Sequence, residues 1–411
     1  MSGRVLVIGA GIAGLAAAFR ARSRGLETIV VGAGAGASAL GGGAVDDVPW
    51  EERRRAMRVL GGPLRVRALG PEVVAFSEAL GLWDLPAEGA STPLLATVAG
   101  RLRPARGRDR GLLDLASLPE GARVVLPRAP RGGWDADAIA RTLEAEPLAR
   151  RAGLRFQAVD IQVLRYADEA RINDGDLAMR HDDPARLAWL AERLREGLAR
   201  AGAGAVLLGS WLGVNEARAA ELSSRVGVPV GEALVGIGSA AGLRFEAARD
   251  RLLASLRAEV VIDRAAALAS EGGRVTVKLV RGGPLSVDAV VLAVGGLAGG
   301  GVVYAPPEHE AGDDLPPRGA VPYRLSVDMP ASLSVGAGPL NVVASMQGPE
   351  LDVTAWPTAA RAGALEAIGV YCTEGRVAPG VTAAGDVVAG RPRTLLEAVA
   401  SGLRAVDAAG R

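Results

Sequence analysis

The apolar positions of this chain fall into two periods. Arg4-Val5-Leu6-Val7-Ile8 and Thr28-Ile29-Val30-Val31 are short apolar runs of the kind that a fully buried parallel strand requires. Between them, Leu15-Ala16-Ala17-Ala18-Phe19-Arg20 reads as the opening of a helix. The same rhythm returns later. Arg123-Val124-Val125-Leu126-Pro127, Leu154 to Val159 and Ala205-Val206-Leu207-Leu208-Gly209 read as strands. Asp135 to Glu146 and Asp183 to Leu198 read as helices, with Asp135 and Asp183 as N-caps and Pro184 in the first turn. Strands that alternate with helices predict parallel sheets covered on both faces.

Other stretches are punctuated differently. Glu51 to Val59 is a charged helix, and Pro71 to Leu80 is a helix closed by Gly81. Leu94 to Val98, Gly100 and Leu102 form a hairpin. Gly242 to Leu256 is a helix, and Glu259-Val260-Val261-Ile262 is a strand. Arg274 to Val280 alternates cleanly and can pair with Leu285 to Val287. Asp288 to Val294 is a buried strand that runs into Gly295-Gly296. A short strand ends in Gly385-Asp386, ahead of a helix from about Thr394 to Ala408. Residues 301–360 are rich in Pro and Gly and lack a period.

The predicted class is therefore α/β with an inserted α/β domain. Residues 1–47, 242–300 and 365–411 would form a discontinuous Rossmann-like domain. Residues 48–241 would be the inserted cap or partner domain, and 301–364 a small irregular lobe.

Composition narrows the chemistry. Hydrophobic residues make up 49% of the chain, which excludes a disordered protein. A net charge of +1 argues against a general nucleic-acid surface. Lys278 is the only lysine, and Arg, Gly and Ala are abundant, which lowers the weight of any single Arg or Gly. With Cys372 as the only cysteine, Cys-ligated iron–sulfur clusters and a C-x-x-C redox pair are excluded. Any redox work must use an organic cofactor. With His181 and His309 as the only histidines, a His-based metal site is not expected. No secretory signal or membrane-spanning run is visible, so a cytoplasmic protein is expected, touching the inner membrane only through a partner.

Gly9-Ala10-Gly11-Ile12-Ala13-Gly14 follows the first strand and opens the first helix. This G-x-G-x-x-G turn suits a pyrophosphate at a helix N-terminus. Gly9 allows the turn, Gly11 lets backbone approach phosphate, and Gly14 lets helix pack on strand. An acidic residue about 20 positions on normally bonds the ribose, but Gly32 stands there. Adenosine must then be held otherwise or less firmly, or a mononucleotide could replace the dinucleotide. The loop Ser38 to Asp46, with Gly41, Gly42 and Gly43, reads either as a ligand-approaching loop or as a flexible connection.

The order of these segments resembles two-dinucleotide flavoproteins, which implies an α/β two-dinucleotide-binding-type flavoprotein fold with an inserted α/β domain, the Rossmann-like domain binding flavin. In such proteins the last Asp bonds the ribityl or pyrophosphate region. More closely, the chain resembles the smaller flavin-binding subunit of the anaerobic glycerol-3-phosphate dehydrogenase. The resemblance rests on Val7 to Leu15, Leu40 to Asp46, Leu69-Gly70-Pro71, the strand–loop–helix at 123–146, Gly242-Leu243-Arg244, Ala289 to Gly301, and Gly369-Val370 through Asp386. The missing acid after the second strand is a trait of that subunit. Arg391-Pro392-Arg393-Thr394 departs from it, the family being richer in Gly there. The resemblance implies a larger catalytic flavoprotein subunit as partner, which oxidises sn-glycerol 3-phosphate to dihydroxyacetone phosphate. It also implies an iron–sulfur anchor subunit that passes electrons to quinone. The cofactor would be FAD, with FMN as the alternative. Its binding residues would be Gly9, Ala10, Gly11, Ile12, Ala13, Gly14, Gly41, Gly42, Gly43, Val261, Gly295, Gly296, Gly385 and Asp386.

Acid–base groups are scarce. Arg244, Arg393 and His309 are weak catalytic candidates. Arg244 reads as a phosphate- or carboxylate-binding fork or as an exposed helical Arg, and His181 as a surface loop residue. Two other functions stay open. One is a stand-alone FAD-dependent oxidoreductase of a small acid or amine. The other is a non-redox scaffold subunit with a degenerate flavin fold.

Overall fold

A computed structural model describes residues 3–32, 34–61, 64–296, 298–305, 324–327, 333–335, 338–340, 369–370, 372 and 375–409. Two compact units emerge: Met1–Ser38 with Arg251–Arg411, and Ala39–Asp250. The boundaries drawn from the sequence, at 47/48 and 241/242, each lie about nine residues from these divisions. The displacement has a packing cause within the second unit. A side chain at Gly42 would strike the Val235 carbonyl, and one at Gly43 would press on Asp109. Most of 301–364, His309 included, lies outside the described residues.

The first unit is built on a six-stranded sheet. Its order is Glu259–Val261, Glu27–Val31, Arg4–Ile8, Ala289–Leu292, Val381–Ala383 and Arg376–Ala378. The first five strands run parallel and the last antiparallel. Successive side chains alternate between faces. Leu6, Ile8, Ile29, Val31, Val290 and Leu292 pack on Leu268, Val275, Val277 and Leu279 of an antiparallel meander. That meander is Ala265–Glu271, Arg274–Leu279 and Leu285–Val287, and the alternation at 274–280 predicts the pairing of its last two strands. Leu333–Val335 adds to it in parallel.

The helix Ile12–Ser23 packs close to Val7, and the helix Leu395–Ala409 packs beside it. Two glycines make this possible. A Cβ at Gly14 would collide with the Gly9 carbonyl, and one at Gly402 with the Ala13 carbonyl. Arg20 joins the two helices with a forked ion pair to Asp407 at 2.9–3.0 Å.

The second unit has its own four-stranded parallel sheet, ordered Val230–Glu232, Ala205–Leu208, Arg123–Pro127 and Arg155–Val159. The helices are set by the predicted caps. The Asp135 carboxylate accepts from Ala138 N, ahead of Ala136–Ala145. Asp183 accepts from Ala185 N, ahead of Pro184–Ala201. Pro71–Leu80 ends at Gly81 in the left-handed region. The hairpin pairs Leu94–Ala96 with Leu102–Pro104. One core joins sheet and helices, from Val124 and Leu126 to Leu190, Leu194 and Leu207.

Candidate cofactor site

In the first unit, the carboxyl ends of the central strands open on a cleft of about 370 Å³. The glycine turn forms one wall. Gly9 sits at φ +110, where an L side chain is strained, and a Cβ there would also strike the Ala293 carbonyl. Gly11 is different. A Cβ there would meet nothing closer than 3.6 Å, so its missing side chain leaves the cleft open rather than relieving a clash. The helix that follows has no acidic residue in its first turn and no side-chain cap on Gly11. Its positive end therefore faces the cleft without an internal carboxylate. The Ser38 hydroxyl accepts from Ile12 N at 3.1 Å and fixes the loop beside this turn.

Gly32, Gly34 and Gly36 continue the wall, joined by Asp263, Arg264 and Ala265. At Gly32 a Cβ would lie 3.1 Å from both N and Cβ of Ala10. The position that usually carries an acid is here pressed against the phosphate turn. Asp263 is buried, and its carboxylate accepts from the backbone N–H of Arg264, Arg281 and Gly282 at 2.8–3.3 Å. Burial pushes its pKa up, but those N–H donors prevail and hold it below the usual carboxylate value.

The opposite wall comes from late in the chain. Gly295 takes φ +86, and a Cβ at Gly296 would lie 2.8 Å from the Cβ of Asp386. Asp386, Arg393, Thr394 and Leu395 complete this side. Burial raises the Asp386 pKa above the usual value, and the nearby Arg393 charge opposes the rise. Gly385 sits at φ +75 with its Cα turned to Ala13, where a Cβ would come within 2.7 Å. Its part is to seat this turn on the first helix. The glycine walls and the helix N-terminus offer backbone donors that fit a pyrophosphate, and the half-buried Asp386 carboxylate offers an acceptor for a hydroxylated polar chain. When bound, FAD supplies the electron-accepting ring, which no side chain here replaces.

The remaining sequence candidates lie elsewhere. Val261 pairs with Val31, and its carbonyl accepts from Gly32 N, so it frames the cleft without lining it. Gly41, Gly42 and Gly43 belong to the second unit, where the Gly41 carbonyl accepts from Ser239 and the Gly43 carbonyl from Asp109 N. Arg244 is not an exposed helical Arg. It is fully buried, and its guanidinium bonds Asp109 at 2.7 Å and Glu232 at 2.5 Å, with the Gly213 carbonyl at 2.7 Å. Its fork is already filled by the chain's own carboxylates, so the ligand-binding reading of Arg244 gives way. Burial raises the Glu232 pKa, against the pull of Arg244.

His181 is likewise not a surface residue. It is 1% exposed, with Nδ1 3.0 Å from the Leu177 carbonyl, and burial, aided by the Arg186 charge, lowers its pKa to about 4. Cys372 is partly buried, and its thiol is pushed up to about 11 by burial, which makes it a poor nucleophile. Sequence reasoning missed Asp263 and Arg264. The available sign was their place two and three residues beyond Val261, on the strand beside the missing ribose acid.

Residues 4–51 match the family model of an FAD binding domain. No curated protein matches the chain. Among solved structures, iminodiacetate oxidase (IdaA) from Chelativorans sp. BNC1 is 16% identical, with 98% of this chain and 95% of that one covered, at a TM-score of 0.30. AlpK is 13% identical, with 99% and 63% covered, at 0.31. Native FqzB is 12% identical at a TM-score of 0.24, with 74% of this chain covered, and the chain spans 40% of the FqzB chain. Likenesses of that size say nothing of substrate. Among the described residues, no helix is long and apolar enough to cross a membrane. The strand–turn–helix at 4–23, its sheet and the family match agree: the fold is of the dinucleotide-binding flavoprotein type, and the cofactor is FAD. FAD, when bound, carries out electron and hydride transfer.

Proposed function

We propose that the chain is the FAD-binding, electron-relaying subunit of a glycerol-3-phosphate dehydrogenase complex. A larger catalytic flavoprotein subunit would oxidise sn-glycerol 3-phosphate to dihydroxyacetone phosphate. An iron–sulfur subunit would carry the electrons toward quinone and hold the assembly at the membrane. One observation carries the reading. Among the described residues, the ionisable side chains lining the cleft are Asp263, Arg264, Asp386 and Arg393. Asp263 is engaged by three backbone N–H groups, and Asp386 faces Arg393. Removing hydride from an alcohol calls for a positioned base, usually His, Glu, Lys or Tyr, whereas passing electrons between cofactors does not. The motif resemblance from Val7 to Asp386 supports the choice of glycerol 3-phosphate.

The chain's own residues have a limited part in this role. Backbone N–H groups of Gly11 and Ala13 bind phosphate, Asp386 and Arg393 orient the cofactor, and the glycine walls exclude side chains from it. The test is anaerobic bleaching of the bound flavin by sn-glycerol 3-phosphate. Slow bleaching of the isolated chain and fast bleaching with a catalytic glycerol-3-phosphate dehydrogenase subunit are expected. Fast bleaching of the isolated chain overturns the relay role, and no bleaching in either case overturns the substrate.

A second reading is favoured by Arg393, a cleft-lining guanidinium suited to a substrate carboxylate. It makes the chain a stand-alone oxidoreductase of a small acid or amine. Bleaching of the isolated chain by amino or hydroxy acids is the outcome that would select it.

A further inference from the structure

Gly32 leaves the cleft without the carboxylate that normally bonds the adenosine ribose. Restoring one would crowd Ala10, because even a Cβ at Gly32 lies 3.1 Å from the Ala10 backbone N. The neighbouring strand supplies a replacement. Gly32 N donates to the Val261 carbonyl, so the end of the second strand is tied to the end of Glu259–Val261. Two residues on, the chain turns into the cleft, and Asp263, Arg264 and Ala265 line it together with Gly32.

This turn is unusually well anchored. Asp263 collects the N–H groups of Arg264, Arg281 and Gly282 on one buried carboxylate. The Arg264 carbonyl in turn accepts from Val280 N at 2.9 Å. Both the amide and the carbonyl of Arg264 are therefore held, which fixes its Cα at the cleft wall. Its side chain is exposed.

We propose that the Asp263–Ala265 turn is the adenosine clamp of this FAD site: Arg264 donates to the ribose oxygens where other folds accept from the ribose hydroxyl, and Asp263 is the positioning residue that sets the turn. An Arg donor satisfies a ribose hydroxyl from the acceptor side of that group, so the polarity of recognition is reversed rather than lost. The inference rests on FAD being the cofactor and not on the glycerol 3-phosphate reading.

The experiment is titration of the apoprotein with FAD and, separately, with FMN, which lacks the adenosine. Arg264→Gln should weaken FAD about tenfold, the scale of one charge-assisted hydrogen bond, and leave the FMN constant unchanged. Asp263→Asn, with one acceptor oxygen instead of two, should shift the FAD-to-FMN ratio the same way by a smaller factor. FMN binding doubles as the folding control. Unchanged FAD affinity in Arg264→Gln, or equal loss of FAD and FMN, overturns the clamp. Failure of the wild-type chain to take up FAD at all overturns the cofactor reading instead.

Discussion

The sheet of the first unit and the sheet of the second are both made of short, buried, parallel strands. At the carboxyl ends of Arg4–Ile8 and Ala289–Leu292 the chain turns through glycines and leaves a cleft. At the carboxyl ends of Ala205–Leu208 and Val230–Glu232 it does the opposite. There Glu232 accepts from Leu212 N at 2.5 Å and, with Asp109, encloses the Arg244 guanidinium. Trp211 donates to Asp174, which also pairs with Arg131, and Glu169 is buried between Arg186 and the backbone N–H of Arg165. The carboxyl ends of parallel strands are a common place for ligands. What decides their use here is whether side chains from the same unit fill them first. Glycines keep one end empty, and internal ion pairs close the other.

Substitutions at the two ends should fail in different ways. The largest effect is expected from Gly11→Val. Its Cβ meets no atom closer than 3.6 Å, so the fold should survive while the added methyls occupy the phosphate's place. Retained FAD content after gel filtration would contradict the assigned phosphate position. At the closed end, Arg244→Met strands two buried carboxylates and should cost about 3–5 kcal/mol of stability. Urea denaturation measures it, and a change below about 1 kcal/mol would mean that the Arg244 cluster does not hold that end together.

His181 sharpens the contrast through pH. Its folded-state pKa, about 4, lies below the ordinary 6.5, so the folded state binds fewer protons than the unfolded state. The neutral ring's contribution is complete above pH 6.5 and is lost as pH falls toward 4, on the order of 3 kcal/mol at most. His181→Gln should flatten the stability profile across that window. A profile that keeps its slope in the variant would assign the loss to other groups. The smallest effect is Asp386→Ala, which should weaken FAD retention by about 1–3 kcal/mol, one hydrogen bond to a charged group. Flavin released on dilution reports it, and an unchanged content would reduce Asp386 to a part of the turn.

Much of the fold is legible in the sequence, because its determinants are local. Gly9, Gly11 and Gly14 announce a strand-to-helix turn, Asp135 and Asp183 announce helix starts, and Gly81 announces a stop. Each acts within a few residues of itself. The cleft is legible in part, since Gly9–Ala13, Gly295-Gly296 and Asp386 line it. The burial of Arg244 is not, since its partner Asp109 is 135 residues away and nothing in Gly242-Leu243-Arg244 marks it among so many arginines. His181 misleads for a related reason. Arg180-His181-Asp182-Asp183 looks like a solvated turn, yet it sits against Leu177 and Arg186 at a helix junction. The Asp263–Ala265 turn becomes visible only once strand pairing sets Val261 beside Gly32.

The pressing of Gly402 against the Ala13 carbonyl has a consequence for the order of synthesis. The phosphate turn is synthesised almost 400 residues before Gly402, so its helix finds its neighbour only after residue 402 has been added. The central strand Arg4–Ile8 waits just as long for a complete sheet, since Ala289–Leu292 and Val381–Ala383 come late. Until those strands arrive, the apolar run Val5–Ile8 lacks its Ala289–Leu292 neighbour, and unpaired apolar strands of this kind are prone to aggregate. Capture of FAD thus waits for the Leu395–Ala409 helix. Products that stop short of Leu395–Ala409 will emerge colourless, whatever their second unit has managed to fold.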